Sequence, residues 1–161
     1  MQGTKPVVTG FSMPRVAVPA SLLLAGGGTR VGEVYVMERV PQHAGHETPL
    51  DMLNRPDAFF PFRTKEDGVL LVAKARTVTL TVAPPKVEDS ARQSAAKKAM
   101  FEVTLADGSN LTGWATLELP EHHSRLLDYL NAVAQPFFAL TTASEMLLVN
   151  RAHVLYARPE D

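Results

Sequence analysis

Hydrophobic and polar residues alternate with a period of two over much of this chain, which is the pattern of half-buried β-strands. The clearest case spans residues 101–106 and 110–119, on either side of Asp107 and Gly108, a dipeptide typical of a tight turn between antiparallel strands. A long β-rich run at 146–157 predicts two further strands, with a bend after its first five residues. The sequence as a whole predicts a mainly β protein.

Two short stretches depart from this alternation and carry apolar residues at helical spacing. In the first, Thr48 is the expected N-cap, and Pro49 occupies the first helical position, where its missing N–H costs nothing. In the second, Ser124 is the expected N-cap. We expect Asn54 and Asn131 to end these helices in a left-handed conformation.

The whole pattern occurs twice. SLLLAGGGTRVGEVYV matches TLADGSNLTGWATLEL, PLDMLN matches LLDYLN, FFPF matches FFAL, and LLVAKARTV matches LLVNRAHV, all in one order and with Gly32 against Gly113. Matched blocks at nearly constant spacing indicate a duplicated β-β-α-β-β unit. We expect the two units to share a core about a pseudo-twofold axis.

A polar segment separates the two units and has no counterpart in either. Pro84 and Pro85 end the preceding strand, because neither can donate to a ladder. Residues 88–98 then either form a short polar helix or remain mobile. The predicted divisions are a lead-in at 1–19, the first unit at 20–82, the linker at 83–100, the second unit at 101–157 and a tail at 158–161.

The second unit resembles the Sm-like small barrel of Sm proteins and bacterial Hfq. The matching segments are EVTLADGSNLTGWATLEL, with its acidic-Gly turn and a glycine early in the following strand, then FFAL and EMLLVNRAHVLYA, with a basic residue in the last turn. Residues 21–82 resemble the same pattern more weakly. The resemblance implies two tandem Sm/SH3-like small barrels. The helical inserts replace the aromatic-x-Asn loop that holds RNA bases in those families, so the resemblance implies the fold more than RNA binding.

Charge decides how the basic residues are interpreted. Lys74 and Arg76 in the first unit, and Arg151 and His153 in the second, occupy equivalent turns and form a candidate ligand-binding or partner-binding site. The alternative is that these are solvated charges that protect an edge strand from aggregation. The chain has a net charge of −1, and residues 101–157 hold two basic against six acidic residues. This balance disfavours nucleic-acid binding, which depends on neutralising phosphates.

The other candidate residues all have a simple structural explanation. Asp51 and Asp128 lie in the first turn of each helix, where the helix dipole favours a negative charge. Loop histidines could bind zinc or nickel only if the two loops met. These histidines are His43, His46, His122 and His123. The chain has no cysteine and no GxSxG nucleophile elbow, and we expect no enzyme activity, no cofactor and no metal.

The sequence therefore predicts a non-catalytic interaction or scaffold module that binds a protein partner or itself. The alternative is RNA binding through the equivalent basic turns. Alternation lets only one residue of each aromatic pair, Phe59–Phe60 and Phe137–Phe138, face inward, so the others lie between the units or on a partner-binding surface. No apolar stretch has the length of a membrane helix, and a cytoplasmic location is expected.

Overall fold

The computed structural model describes residues 15–38, 47–84, 97–117, 126–132 and 134–160. Within them, ten antiparallel strands form one sheet, and helices are few and short, which confirms the mainly β prediction. The strands are β1 Arg15–Leu24, β2 Gly28–Met37, β3 Phe59–Thr64, β4 Gly68–Ala73, β5 Thr77–Val82, β6 Lys97–Leu105, β7 Asn110–Leu117, β8 Phe137–Thr141, β9 Met146–Asn150 and β10 Val154–Pro159. The helices are α1 Pro49–Asn54 and α2 Leu126–Leu130, with 3₁₀ turns at Lys74–Arg76 and Arg151–His153. None of the helices described is long and apolar enough to cross a membrane.

The sheet runs continuously through both halves of the chain, in the order β10-β6-β7-β8-β9-β5-β1-β2-β3-β4. We call β1–β5 with α1 the first unit and β6–β10 with α2 the second. Each unit has the same internal order, with its fifth strand beside its first and its fourth strand at the far end. The sheet formed by the described residues has two ends, β10 and β4, so it does not close into two separate barrels.

The units are joined by an antiparallel ladder between β5 and β9. These are the fifth strand of the first unit and the fourth strand of the second, which are not equivalent strands. A pseudo-twofold axis would bring equivalent strands together, so the junction has the head-to-tail character of a heterologous contact. The β5–β9 pairing therefore does not relate the two units by the expected pseudo-twofold axis.

Glycines set the turns and the closest approaches between strands. Gly26, Gly28 and Gly108 have φ values of 71°, 77° and 90°, and they lie in the β1–β2 and β6–β7 hairpins that the sequence predicts. A glycine inside a strand often marks a bulge, yet the pairing of Gly113 with β6 shows no register shift. A Cβ at Gly113 would lie 2.4 Å from the carbonyl oxygen of Thr141, so glycine is required because the crossing backbone comes close.

The first helix begins as predicted and ends differently. The Thr48 hydroxyl accepts a hydrogen bond from Asp51 N, and the Asp51 carboxylate accepts one from Thr48 N, both at 3.1 Å, which completes a capping box. The left-handed ending predicted at Asn54 and Asn131 is wrong, because no described residue other than glycine has a positive φ. The Asn54 side chain instead bonds the main chain of β8. The predicted cap Ser124 lies outside the described residues.

Strands extend beyond the predicted unit boundaries. β6 begins at Lys97, where Lys97 to Met100 pair with Leu117 to Trp114, so the last four residues assigned to the linker belong to the sheet. The helix predicted over 88–98 is wrong at Lys97 and Lys98, and its other residues lie outside the described ranges. The Lys98 ammonium lies 5.3 Å from the centre of the Trp114 ring, an attraction that favours the extended pairing.

Two hydrophobic cores form, and each contains residues from both units. The first core is built mainly from β1–β5 and α1, but it also includes Phe137 and Leu148 of the second unit. The second core is built mainly from β6–β9, and it includes Val78 of β5. Phe138 and Val149 contribute to the second core while their neighbours contribute to the first. Strands β8 and β9 are therefore buried on both faces, because alternate side chains point to opposite sides of a strand.

Candidate functional site

The structure brings the two predicted basic turns together at the junction between the units. His153 Nε2 donates to the carbonyl oxygen of Ala75 at 2.9 Å. The Asn150 side-chain amide donates to the carbonyl oxygens of Lys74 and Thr77 at 3.2 and 2.9 Å. The candidate residues thus lie in one region, and hydrogen bonds between side chains and main chain hold the two 3₁₀ turns against each other.

Lys74 is buried, and its ammonium points at the C-terminal end of α1. Its Nζ donates to the carbonyl oxygens of Met52 and Arg55, both at 3.0 Å. The Met52 carbonyl also accepts a long hydrogen bond from Arg55 N at 3.3 Å, and a cation at this helix end interacts favourably with the helix dipole. Burial lowers the pKa of Lys74, and the nearby Asp57 carboxylate opposes part of that shift. The side chain therefore holds the helix end in place.

Arg151 performs the same task in the second unit. Its guanidinium donates to the carbonyl oxygens of Tyr129 and Leu130 at 2.9 Å each, and also to that of Gln135. It also stacks 5.1 Å from the centre of the Phe138 ring. Burial lowers the pKa of Arg151. Equivalent basic residues are thus used, in both units, to bind the carbonyls at the end of the helix.

Of the four predicted residues, Arg76 is the one whose side chain is exposed, and His153 is half-buried. Phosphate neutralisation requires several accessible cations in one place. Two of the three Lys and Arg side chains among them, Lys74 and Arg151, point into the protein, which leaves little free positive charge in this region. The sequence located the right turns, but it could not show that the side chains of Lys74 and Arg151 turn toward the helices.

A cavity of about 330 Å³ lies beside Lys74 in the first unit, between β2, β3 and α1. Its charged wall includes Arg55, whose Nε lies 2.9 Å from the Glu47 carboxylate and whose Nη1 lies 3.9 Å from Asp57. Buried Glu47 also accepts a hydrogen bond from Met37 N at 3.0 Å. Glu47 and Arg55 lie on either side of α1, and no sequence motif connects them. This ion pair could therefore not be predicted from the sequence. Within this wall, Arg55 is paired with both Glu47 and Asp57.

Apart from Val31 and Leu127, the large apolar side chains that are exposed among the described residues lie at the two ends of the sheet. On and beside β4 these are Val69, Leu71 and Phe59, and on and beside β10 they are Leu155, Tyr156 and Met100. Phe59 faces outward as alternation predicts, but its counterpart Phe137 is buried. An edge strand with an apolar surface is a template for pairing with another chain. These edges are the second candidate site.

Other candidate chemistry has a structural role or lies outside the described residues. Asp51 is part of the capping box, and Asp128 is exposed in the first turn of α2. The described ranges contain no group of three or more metal-ligating side chains. The remaining histidine candidates lie outside those ranges, and they are His43, His46, His122 and His123.

No protein-family model matches the chain, and comparison with curated proteins and with solved structures found no significant similarity.

Proposed function

We propose that this protein is a non-catalytic scaffold that binds protein partners through the two edges of its sheet. The observation that carries this proposal is the set of exposed apolar side chains on β4 and β10, where Leu71 is 73% exposed on one edge and Leu155 and Tyr156 are 59% and 57% exposed on the other. Contiguous exposed apolar surface marks interaction sites. Main-chain N–H and C=O groups along an edge supply affinity for an added strand, and the side-chain pattern supplies specificity.

We further propose that each unit is an open, five-stranded relative of the Sm/SH3-like small barrel and that both units derive from one duplicated ancestor. Support comes from details that recur at matching places. Lys74 N and Arg151 N each donate to the main chain just before the third strand of their unit, at 2.9 Å. The first and fifth strands of both units shift register at the same point, after Leu23 and before Leu105. Such bulges bend a strand and increase the local twist of the sheet.

The polar groups that stand out in the sequence support a non-catalytic function. Lys74 and Arg151 bind helix carbonyls, and Asp51 caps a helix. A general acid or base has to reach a substrate proton, and these groups are engaged with the main chain instead. RNA binding through the basic turns would depend mainly on Arg76, and it is the rival outcome in the experiment below.

The test is capture from a native lysate with the tagged full-length protein, with and without nuclease, at several salt concentrations. Leu71→Lys and Tyr156→Lys each place a charge on one edge, and Val31→Lys is the matched control, an equally exposed apolar residue in the interior strand β2. We expect specific partners to persist after nuclease and to be lost from one or both edge variants but not from the control. Partners that vanish with nuclease, and that depend on Arg76, would overturn the proposal in favour of RNA binding.

A further inference from the structure

Two hairpins of the sheet contain an aspartate followed directly by a glycine. Asp67 and Gly68 lie where β3 turns into β4, and Asp107 and Gly108 lie between β6 and β7. Both glycines have a positive φ, 70° and 90°, and a Cβ added to either one would meet no atom beyond its chain neighbours within 4 Å. The two turns therefore present the same pair of residues in similarly open surroundings.

An aspartic acid that precedes glycine can isomerise without an enzyme. The main-chain nitrogen of the glycine attacks the side-chain Cγ, and the carboxyl hydroxyl leaves as water with the proton of that nitrogen, which closes a five-membered succinimide. Water then breaks one of the two N–C bonds of the ring. Cleavage at Cγ restores aspartate, whereas cleavage at the main-chain carbonyl carbon leaves isoaspartate, in which the chain continues through Cβ and Cγ. One water is lost and one is regained, and glycine permits ring closure because it has no side chain.

The carboxylate of Asp107 is restrained by the residue that follows the pair. Its Oδ1 accepts a hydrogen bond from the Ser109 hydroxyl at 2.6 Å and another from Ser109 N at 2.9 Å. These hydrogen bonds lower the pKa of Asp107, because they favour the ionised form. Ring closure requires the protonated carboxyl group, since a carboxylate resists nucleophilic attack and has no hydroxyl to lose. The bonds from Ser109 therefore oppose isomerisation at this turn.

The carboxylate of Asp67 has no comparable restraint among the described residues. Its ion pair there is with Arg30, whose Nε lies 3.7 Å from the Asp67 Oδ2, and the Arg30 and Asp67 side chains are 40% and 49% exposed. An exposed ion pair of this kind contributes little, because solvent screens it. The turn is anchored through its main chain instead, where Asp67 N donates to the Thr64 hydroxyl at 2.8 Å. The Asp67 side chain can therefore turn toward the nitrogen of Gly68.

We propose that Asp67 is a site of spontaneous isomerisation to isoaspartate in the folded protein, and that Ser109 protects the same pair of residues at Asp107. This reactivity goes beyond the proposed scaffold function and does not depend on it, because it follows from the chemistry of the two turns alone. The modified turn lies at the start of the end strand β4, and the protected turn lies between β6 and β7 in the second unit.

The turn of the second unit that matches Asp67 keeps the same anchor without the reactive pair. Between β8 and β9, Glu145 N donates to the Thr142 hydroxyl at 3.0 Å, as Asp67 N donates to the Thr64 hydroxyl. A glutamate has to close a six-membered ring, which forms more slowly, and the residue after Glu145 is a methionine. Of the two matching turns, the one beside β4 is therefore the one that can be modified.

Isoaspartate at position 67 changes the edge that β4 forms. The rearranged residue adds one atom to the main chain just before Gly68, which pairs with Thr64 where the β3–β4 ladder begins. This pair and the next one, Arg63 with Val69, must then shift or break. Because β4 is an end strand of the described sheet, no second neighbour holds it in register. If β4 binds partners as proposed, ageing of the protein weakens that edge and spares β10.

The experiment follows isoaspartate in the full chain during incubation in mildly acidic buffer made with heavy-oxygen water. Peptide mapping with mass spectrometry separates isoaspartate from aspartate at each position, and the heavy oxygen marks every ring that has opened. We expect the initial rate at Asp67 to exceed that at Asp107 by about three- to tenfold, the range that one net hydrogen bond accounts for. The same incubation in guanidinium chloride should make the two rates similar, because the unfolded chain loses the restraint from Ser109.

Two variants test the cause of the difference. Ser109→Ala removes the hydroxyl donor and should raise the rate at Asp107 by about threefold, while Asp67 in the same chain serves as the unchanged control. Asp67→Glu should abolish isoaspartate at position 67 and leave Asp107 as in the wild type, and Glu145 shows that this kind of turn accepts a glutamate. Circular dichroism checks that each variant folds. A folded wild type in which Asp67 isomerises no faster than Asp107, or a Ser109→Ala variant with an unchanged rate at Asp107, overturns the inference.

The consequence for partner binding is measured separately, by capture with aged wild type and equally aged Asp67→Glu. If isoaspartate forms and the aged wild type loses partners that the aged variant retains, the modification acts on the β4 edge as expected. If isoaspartate forms and capture is unchanged, the modification stands and its effect on β4 is wrong. If no isoaspartate forms at position 67, the inference falls, and the scaffold function is still judged by the edge variants alone.

Discussion

At the scale of single residues, basic side chains serve different purposes in positions that look alike in the sequence. Lys74 and Arg76 are two residues apart in one 3₁₀ turn, yet the first is buried against helix carbonyls and the second faces solvent. Alternating charges at the end of a strand do not reveal this difference. The deciding factor is the end of α1, where the Met52 and Arg55 carbonyl oxygens and the helix dipole attract the nearest cation.

Lys74→Met should lower the free energy of unfolding by about 1–3 kcal/mol, because it removes the ammonium that donates to the Met52 and Arg55 carbonyl oxygens while preserving most of the side-chain volume. Arg76→Met is the matched control in the same turn and should change stability by no more than about 0.5 kcal/mol. Urea unfolding of both variants measures the difference. Equal effects would show that Lys74 does not stabilise the helix end.

Tyr129 should make stability depend on pH in the alkaline range. Burial raises the pKa of its phenol, whose hydroxyl donates to the carbonyl oxygen of Ala139 at 3.1 Å. A folded-state pKa above the unfolded value contributes stability that is full below the unfolded pKa, about 10, and is lost as pH rises through the folded pKa. Stability of the wild type should therefore fall more steeply above that pH than stability of Tyr129→Phe. Urea unfolding midpoints of the wild type and of Tyr129→Phe, measured across the alkaline range, test this difference. If the two midpoints fall in parallel as pH rises, the prediction is wrong.

At the scale of elements, local chemistry determined most of what the sequence predicted correctly. Thr48 and Pro49 started a helix, Asp107 and Gly108 formed a turn, and the run from 146 bent after Asn150. Each of these depends on a few neighbouring residues. The errors arose where a distant strand decides the outcome: Asn54 takes its conformation while bonding Phe137, 83 residues away. Periodicity contains no information about such a partner.

Gly113 illustrates a constraint between elements that can be tested directly. Gly113→Ala should lower the free energy of unfolding by about 1–3 kcal/mol, because its Cβ would overlap the Thr141 carbonyl oxygen at 2.4 Å. Without that overlap, alanine would stabilise the chain by reducing the entropy of the unfolded state, so the sign alone is informative. Thr112→Ala, an exposed neighbour in β7, is the control. Thermal unfolding of both variants provides the measurement, and a stabilised Gly113→Ala would refute the close approach.

At the scale of the whole molecule, the sequence predicted two similar units and could not predict how they join. Both twofold and head-to-tail packing bury the same kind of apolar residue, so the hydrophobic pattern fits either one. The choice depends on which strands present complementary edges. The aromatic pairs show the consequence, since Phe137 is buried in the first core although Phe59, in the matching position, is exposed.

That difference predicts unequal effects for two matched substitutions. Phe137→Ala should lower the free energy of unfolding by about 3–5 kcal/mol, as expected for a large aromatic side chain removed from a core. Phe59→Ala should change it by no more than about 0.5 kcal/mol in dilute protein, as expected for an exposed residue. Guanidinium unfolding of both variants at low protein concentration measures the two losses of stability. Similar losses would mean that the two positions have similar environments in solution.

The shared cores also determine when the chain can fold during synthesis. Domains generally fold as they emerge from the ribosome, the N-terminal one first. Here the first core includes Phe137 and Leu148, so it stays incomplete until nearly the whole chain has been made. Nascent chains that end before β8 would expose the apolar residues that those strands cover. The N-terminal half is therefore expected to be the part most in need of chaperone protection, although it is translated first.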